Sequence, residues 1–175
     1  MSMREAIAAA LLVALAGAQA RAEGPGLGRA ASAGEIALFD ISVGPDGVGL
    51  PPGAGAARQG RLVYEARCIG CHGEKGEGKP NDRLVGGFGT LKGGQAAVKT
   101  IGSYWPYATT VFDYVRRAMP FDAPKSLTDE EVYAVTAYLL HLNGIVGEDE
   151  LIDAQRLPKI EMPNRGGFTL YTPGR

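Results

Sequence analysis

The strongest periodic pattern of apolar and polar positions lies in "LTDEEVYAVTAYLLHLNG", where Val132, Val135, Leu139 and Leu142 recur at helical spacing along one face. Thr128 and Glu131 make a capping box, Leu127 and Val132 occupy the staple positions, and Asn143-Gly144 supplies a C-terminal stop. A second helix is predicted from Ala56 in "AARQGRLVYEARC". There Gly60, Val63, Tyr64 and Arg67 fall on adjacent turns and deliver Cys68 at the helix end. In "KTIGSYWPYATTVFDYVRRAMP" either Thr109 or Thr110 is placed to cap a short helix. Val111, Phe112 and Val115 form its apolar side and Pro120 ends it. Gly60 and Tyr64 are spaced to cross close against Ala137 and Tyr138, a small-residue contact that lets two helices meet tightly. No strand pattern survives the breakers, so the expected class is all-α.

Outside these helices the chain reads as a leader and two arms. "AIAAALLVALAGAQA" is an apolar run too short to span a membrane, which takes about 20 residues, and it ends in small residues. Residues 1–22 are therefore expected to be a signal peptide cleaved near Ala20 or Ala22, leaving no membrane span and a periplasmic protein. Residues 23–55, with the turn-rich "GPDGVGLPPGAG", read as an N-terminal arm in which only "EIALFDISV" has enough apolar residues to dock, as a short helical turn and an extended piece, or as a plain flexible linker. Residues 56–145 hold the predicted helices, and 146–175 form a C-terminal arm. No internal repeat is visible.

Composition changes this picture in two ways. Removing residues 1–22 leaves a formal charge of about −2, which excludes a nucleic-acid-binding protein. The 26 glycines mean long loops and a large entropy loss on folding, so the chain profits from a large group to fold around.

"RCIGCHGEKGEG" contains both cysteines of the chain and one of its two histidines. Cys68, Cys71 and His72 form Cys-x-x-Cys-His, the c-type haem attachment signature: two thiols one helical turn apart add to the two vinyl groups, and the adjacent imidazole is placed beneath the iron. A thioredoxin-like pair would need a βαβ context, zinc would need two further ligands, and a secretory disulfide leaves His72 unexplained. One covalent haem c, with His72 as metal ligand, is the expectation. Export agrees with it.

For the other face of the iron, Met119 in "RRAMPF" stands at the end of a short helix before a turning proline. A thioether there raises the reduction potential and suits electron transfer. Met162 in "EMPN" and His141 on the long helix are the weaker candidates. Tyr104 and Trp105 in "SYWPYA" are candidate haem contacts, with Tyr107 beside them, because a hydroxyl or indole N–H can donate to propionates. Lys99, Arg116 and Arg117 are candidates to offset propionate charge, or simply solvated surface.

With these features in this order the chain resembles class I cytochromes c. The stretch from "KTIGSYWPYATT" to "LLHLNGIV", with "PDGVGLPPGAG" before the haem motif and "LPKIEMPNRGGF" after it, is similar to the cytochrome c subunit of periplasmic sulfite and sulfane dehydrogenases. That resemblance implies a class I cytochrome c fold with extended arms and His72 and Met119 as axial ligands. It also implies a non-catalytic electron-accepting subunit of a molybdenum-containing dehydrogenase, in a heterodimer or heterotetramer, passing single electrons to a soluble acceptor cytochrome c. Some relatives carry a second haem domain, whereas this chain has a single Cys-x-x-Cys-His, so the sulfite and sulfane branches both stay open. An independent carrier, or a peroxidase-like haem enzyme with a labile sixth ligand, are the alternatives.

Overall fold

The computed structural model describes residues 26–169 and 171; the expected signal peptide lies outside the described residues. The chain divides after Ile36 into two units, each taken by itself. In the first, Ser32 opens helix α1 (Ala33–Ala37). Its hydroxyl accepts from the Glu35 N–H at 3.3 Å, and the Glu35 carboxylate accepts from the Ser32 N–H at 2.9 Å. Arg29 closes on the same carboxylate at 2.5–2.8 Å, and this pairing, with the Ser32 bonds, holds Glu35 down at about 2.

The second unit runs β1 (Ala54–Gly55), α2 (Ala57–Arg67), α3 (Ile69–His72), α4 (Ala108–Ala118), α5 (Asp129–Leu142) and β2 (Ile152–Asp153), with single 3-10 turns at Thr90–Lys92 and Leu157–Lys159. Its centre is α5. Thr128 and Glu131 cap it reciprocally, at 3.2 and 2.8 Å, and Gly144 stops it at φ +69°. The apolar face is wider than the one expected: Tyr133, Ala134, Thr136, Ala137 and Leu140 are buried as well as Val132, Val135 and Leu139, while Leu142 is only half-buried. The arms are the reason. Tyr133 donates its hydroxyl to the Pro51 carbonyl at 2.9 Å, and a Cβ on Gly55 would come within 2.5–2.7 Å of Ala134, so the N-terminal arm lies directly on the helix.

Contrary to the expectation of no strands, β1 and β2 pair antiparallel, Ala54 with Asp153 and Gly55 with Ile152. Each strand is two residues long, below any length at which alternation can be read. From β2 onward the C-terminal arm feeds Ile152, Leu157, Ile160 and Met162 into the core shared with Tyr64, Phe112 and Val115.

The α2–α5 crossing forms against Tyr138 as expected, with Ala134 in place of Ala137 as the small residue at the contact. Gly60 abuts the carbonyl of Ala134 and the Cβ of Tyr138, while Tyr64 and Tyr138 stack with centroids 5.3 Å apart. Neither threonine caps α4. Tyr107 is its N-cap residue without a side-chain bond, and Thr109 is buried inside the first turn, its hydroxyl donating to the Pro45 carbonyl at 3.4 Å. The arm segment that holds Pro45 took the threonine from the cap. Along α4 the same arm is fixed by Asp113, which accepts the Val43 N–H at 2.9 Å. The "EIALFDISV" piece docks only in part: Val43 packs on the core, whereas Leu38 and Phe39 stay exposed.

Candidate functional site

Helix α2 ends by placing Cys68 at its C-cap, where the Cys68 N–H still donates to the Tyr64 carbonyl at 2.8 Å. From there α3 makes a single turn. The Cys71 and His72 amides both return to the Cys68 carbonyl, at 3.1 and 3.0 Å, so the two thiols and the imidazole project from one tight turn. Both cysteines are free thiols, Cys68 half-buried and Cys71 exposed. Burial, with the neighbouring Cys71 adding to it, pushes the Cys68 thiol up to about 11.

Gly73 ends α3 at φ +82°, a conformation that favours glycine. Its carbonyl receives the hydroxyl of fully buried Tyr64 at 2.7 Å, which ties the residue after His72 back onto α2. Burial pushes the Tyr64 hydroxyl up to about 12, so it remains a donor at neutral pH.

His72 is oriented by a main-chain partner that no sequence signal announces: its Nδ1 lies 2.8 Å from the carbonyl oxygen of Asp82. A carbonyl only accepts, so Nδ1 carries the proton and Nε2 keeps the lone pair a metal needs. The loop beyond is drawn back to α3 by the Gly78 N–H on the His72 carbonyl and the Asn81 N–H on the Cys71 carbonyl, both 2.9 Å.

Met119 is the C-cap residue of α4, its N–H on the Val115 carbonyl at 3.0 Å, and its side chain is half-buried against the core. Met162, the competing thioether, is 3% exposed and packs inside the core, where it fills space. His141 places Nδ1 3.2 Å from the Val146 carbonyl and braces the end of α5. Trp105 packs edge-on against Tyr114 at 5.7 Å; Tyr104 does the same with Phe168 at 5.2 Å and lies under the Lys99 ammonium at 4.9 Å. Arg165 covers the Tyr107 ring at 4.4 Å. Arg116 and Arg117 are engaged by Asp129 at 3.0 Å and Asp113 at 2.8 Å, so both already spend their charge on this chain's own carboxylates.

The donor set fits haem c: two free thiols on one turn, an imidazole with its lone pair on Nε2, and a thioether on another helix end. Cys68, Ile69, Leu84, Trp105 and Met119 each pack on the core yet stay partly exposed. A separate open concavity of about 650 Å³, lined by Asp46, Tyr107, Gln155, Lys159 and Arg165 among others, holds none of these groups.

Comparison with known proteins bears on the family and the fold. A family model described as Cytochrome c matches residues 57–143. The chain is 29% identical over 83 residues to a thiosulfate dehydrogenase of Psychrobacter arcticus, covering 47% of this chain and 25% of that protein. To a thiosulfate dehydrogenase of Allochromatium vinosum it is 31% identical over 98 residues, covering 55% and 31%. It thus spans only about a quarter to a third of the curated relatives it matches. Among solved structures, the sulfane dehydrogenase SoxCD from Paracoccus pantotrophus superposes with a TM-score of 0.76 and 43% identity, covering 83% of this chain and 72% of that one.

Proposed function

The chain belongs to the cytochrome c family, with the all-helical class I fold and a small two-strand addition, and from that premise we propose that it is the electron-accepting haem subunit of a molybdenum-dependent sulfur dehydrogenase. Family membership implies covalently bound haem c. That it is one haem, tethered by Cys68 and Cys71 with His72 and Met119 as axial ligands, is our assignment. Bound there, haem supplies a one-electron couple at its iron.

The protein's own residues do the rest. The α3 turn sets the two thiols in register, and the Asp82 carbonyl fixes the His72 tautomer and ring plane, so that Nε2 is the ligating nitrogen. Met119, held at the α4 terminus, would offer the haem iron a soft thioether, a donor that suits electron transfer. Trp105 and Tyr104 sit on aromatic neighbours and are assigned to the macrocycle edge.

The observation that carries the partner assignment is the 43% identity to SoxCD over 83% of this chain. A molybdenum-containing subunit is accordingly the proposed electron donor, in a heterodimer or heterotetramer, and a soluble cytochrome c the proposed acceptor. Export to the periplasm with cleavage near Ala20 or Ala22 completes the reading. Among the described residues no helix is long and apolar enough to cross a membrane.

The test is co-purification of the haem-loaded protein from its native host, followed by addition of sulfite. Molybdenum in the same peak and reduction of the haem on mixing are expected. A monomer without molybdenum, with a high-spin ferric iron that binds carbon monoxide, overturns the assignment.

A further inference from the structure

The side chain of Asn143, the C-cap residue of α5, is 5% exposed and has all its hydrogen bonds inside the protein. Its Nδ2 donates to the Leu139 carbonyl at 2.9 Å, which satisfies an end of its own helix, and to the Leu84 carbonyl at 3.2 Å. Its Oδ1 accepts the Gly86 N–H at 3.1 Å. One amide therefore grips the chain on both sides of Val85, at Leu84 and Gly86, two and four residues beyond the carbonyl that orients His72. Helix capping needs only the Leu139 bond; the two bonds to the loop are additional to it.

The surroundings are built to keep this grip. Gly102 presses on the amide so closely that a Cβ there would overlap Oδ1 and lie 2.8 Å from Cγ. The Leu84 carbonyl also accepts the Ile101 N–H at 3.2 Å, and the Leu84 N–H is held by the Gly76 carbonyl at 2.8 Å. Residues 82 to 86 are thus suspended between the α3 loop on one side and α5 on the other.

We propose that Asn143 is a positioning residue for the proximal imidazole: through Leu84 and Gly86 it holds the Asp82 carbonyl against His72 Nδ1–H, and so sets the orientation and donor strength of that ligand. The proposal rests on His72 being an axial ligand. A metal-bound imidazole gives up electron density more readily when its other N–H is firmly hydrogen-bonded. A slack loop weakens that bond, makes the ligand poorer and raises the reduction potential.

The experiment compares haem-loaded wild type with Asn143→Ala, Asn143→Asp and, as a destabilised control remote from the loop, Leu157→Ala. The readouts are the exchange rate and chemical shift of the His72 Nδ1 proton by NMR, and the reduction potential. In Asn143→Ala the proton should exchange about tenfold faster under native conditions, the factor for one net hydrogen bond, and the potential should rise. Asn143→Asp keeps an acceptor for Gly86 but cannot donate to Leu84 when ionised, and should shift both readouts in the same direction. Leu157→Ala should lower stability and leave the potential and the proton's shift alone.

If the wild type shows the haem-shifted His72 resonance and Asn143→Ala leaves both readouts unmoved, or moves them no further than Leu157→Ala does, the positioning role is refuted while the ligand assignment stands. A wild type with no such resonance removes the ligand assignment, and the positioning role with it.

Discussion

Replacing Gly60 with alanine places a methyl group on the carbonyl of Ala134 and 2.9 Å from the Tyr138 Cβ. Carbon atoms rest at about 3.5–4.0 Å, so α2 and α5 must part by roughly 1 Å, and a gap of that size forfeits about a quarter to a half of each contact across the seam. The obstacle is main chain on a helix buried nearly all round, and it cannot rotate away as a flexible side chain would. Overpacking of this kind costs about 3 kcal/mol, at the upper end of its usual range. Alanine returns about 1 kcal/mol through helix propensity at an interior position of α2. The net expectation is a loss of about 2 kcal/mol, seen as a fall in midpoint of roughly 4–8 °C for a chain of this size. Thermal unfolding of the haem-loaded protein by circular dichroism measures it. Gly147→Ala, whose Cβ would meet only the Glu150 Cβ at 3.8 Å, is the control and should lie within about 1 kcal/mol of the parent. A Gly60→Ala protein as stable as that control refutes the close crossing.

Met119→Ala is expected to abolish the methionine-to-iron charge-transfer band in the ferric spectrum, whereas Met162→Ala keeps the band and loses about 2–5 kcal/mol in denaturant unfolding as a buried side chain is truncated; the reverse pattern would move the ligand to the C-terminal arm. At alkaline pH the two buried tyrosines Tyr64 and Tyr133, both pushed from 10.0 to about 12 chiefly by burial, ionise first in the unfolded chain. Their contribution is complete below pH 10 and is lost as pH rises toward about 12, so stability falls across that window, and Tyr64→Phe should make the fall shallower in urea titrations. Thr128→Ala removes the acceptor for the Glu131 N–H and should cost about 1 kcal/mol in the same assay; no loss would mean that the α5 cap is redundant.

Features written within a few residues were legible in the sequence. The capping box of α5, the stop at Asn143-Gly144, the delivery of Cys68 by α2 and the end of α4 before Pro120 all depend on neighbours in the chain. What escaped depends on distant partners. Thr109 reads as a cap until the Pro45 carbonyl claims it, and α5 reads as one-faced until Pro51, Gly55 and the C-terminal arm cover its other sides. Asn143 was legible as a helix stop, yet its bonds to Leu84 and Gly86 are set by where an irregular glycine-rich loop returns. The Asp82 carbonyl was invisible for the same reason: any residue has one. Met162 shows the converse, a Met-Pro pair that resembles the proposed ligand Met119 in sequence and differs from it in burial.

The two-rung pairing of Ala54 with Asp153 and Gly55 with Ile152 also bears on the order in which the molecule assembles. It closes a circuit of about a hundred residues, and the entropy of such a closure must be met by contacts that already exist, so the pairing belongs to the late stages of folding. The turn bearing Cys68, Cys71 and His72 is held by bonds that reach no further along the chain than Asp82. A nascent chain can therefore shape its thiols and imidazole, and offer them to whatever attaches the cofactor, before its two arms shut over α5.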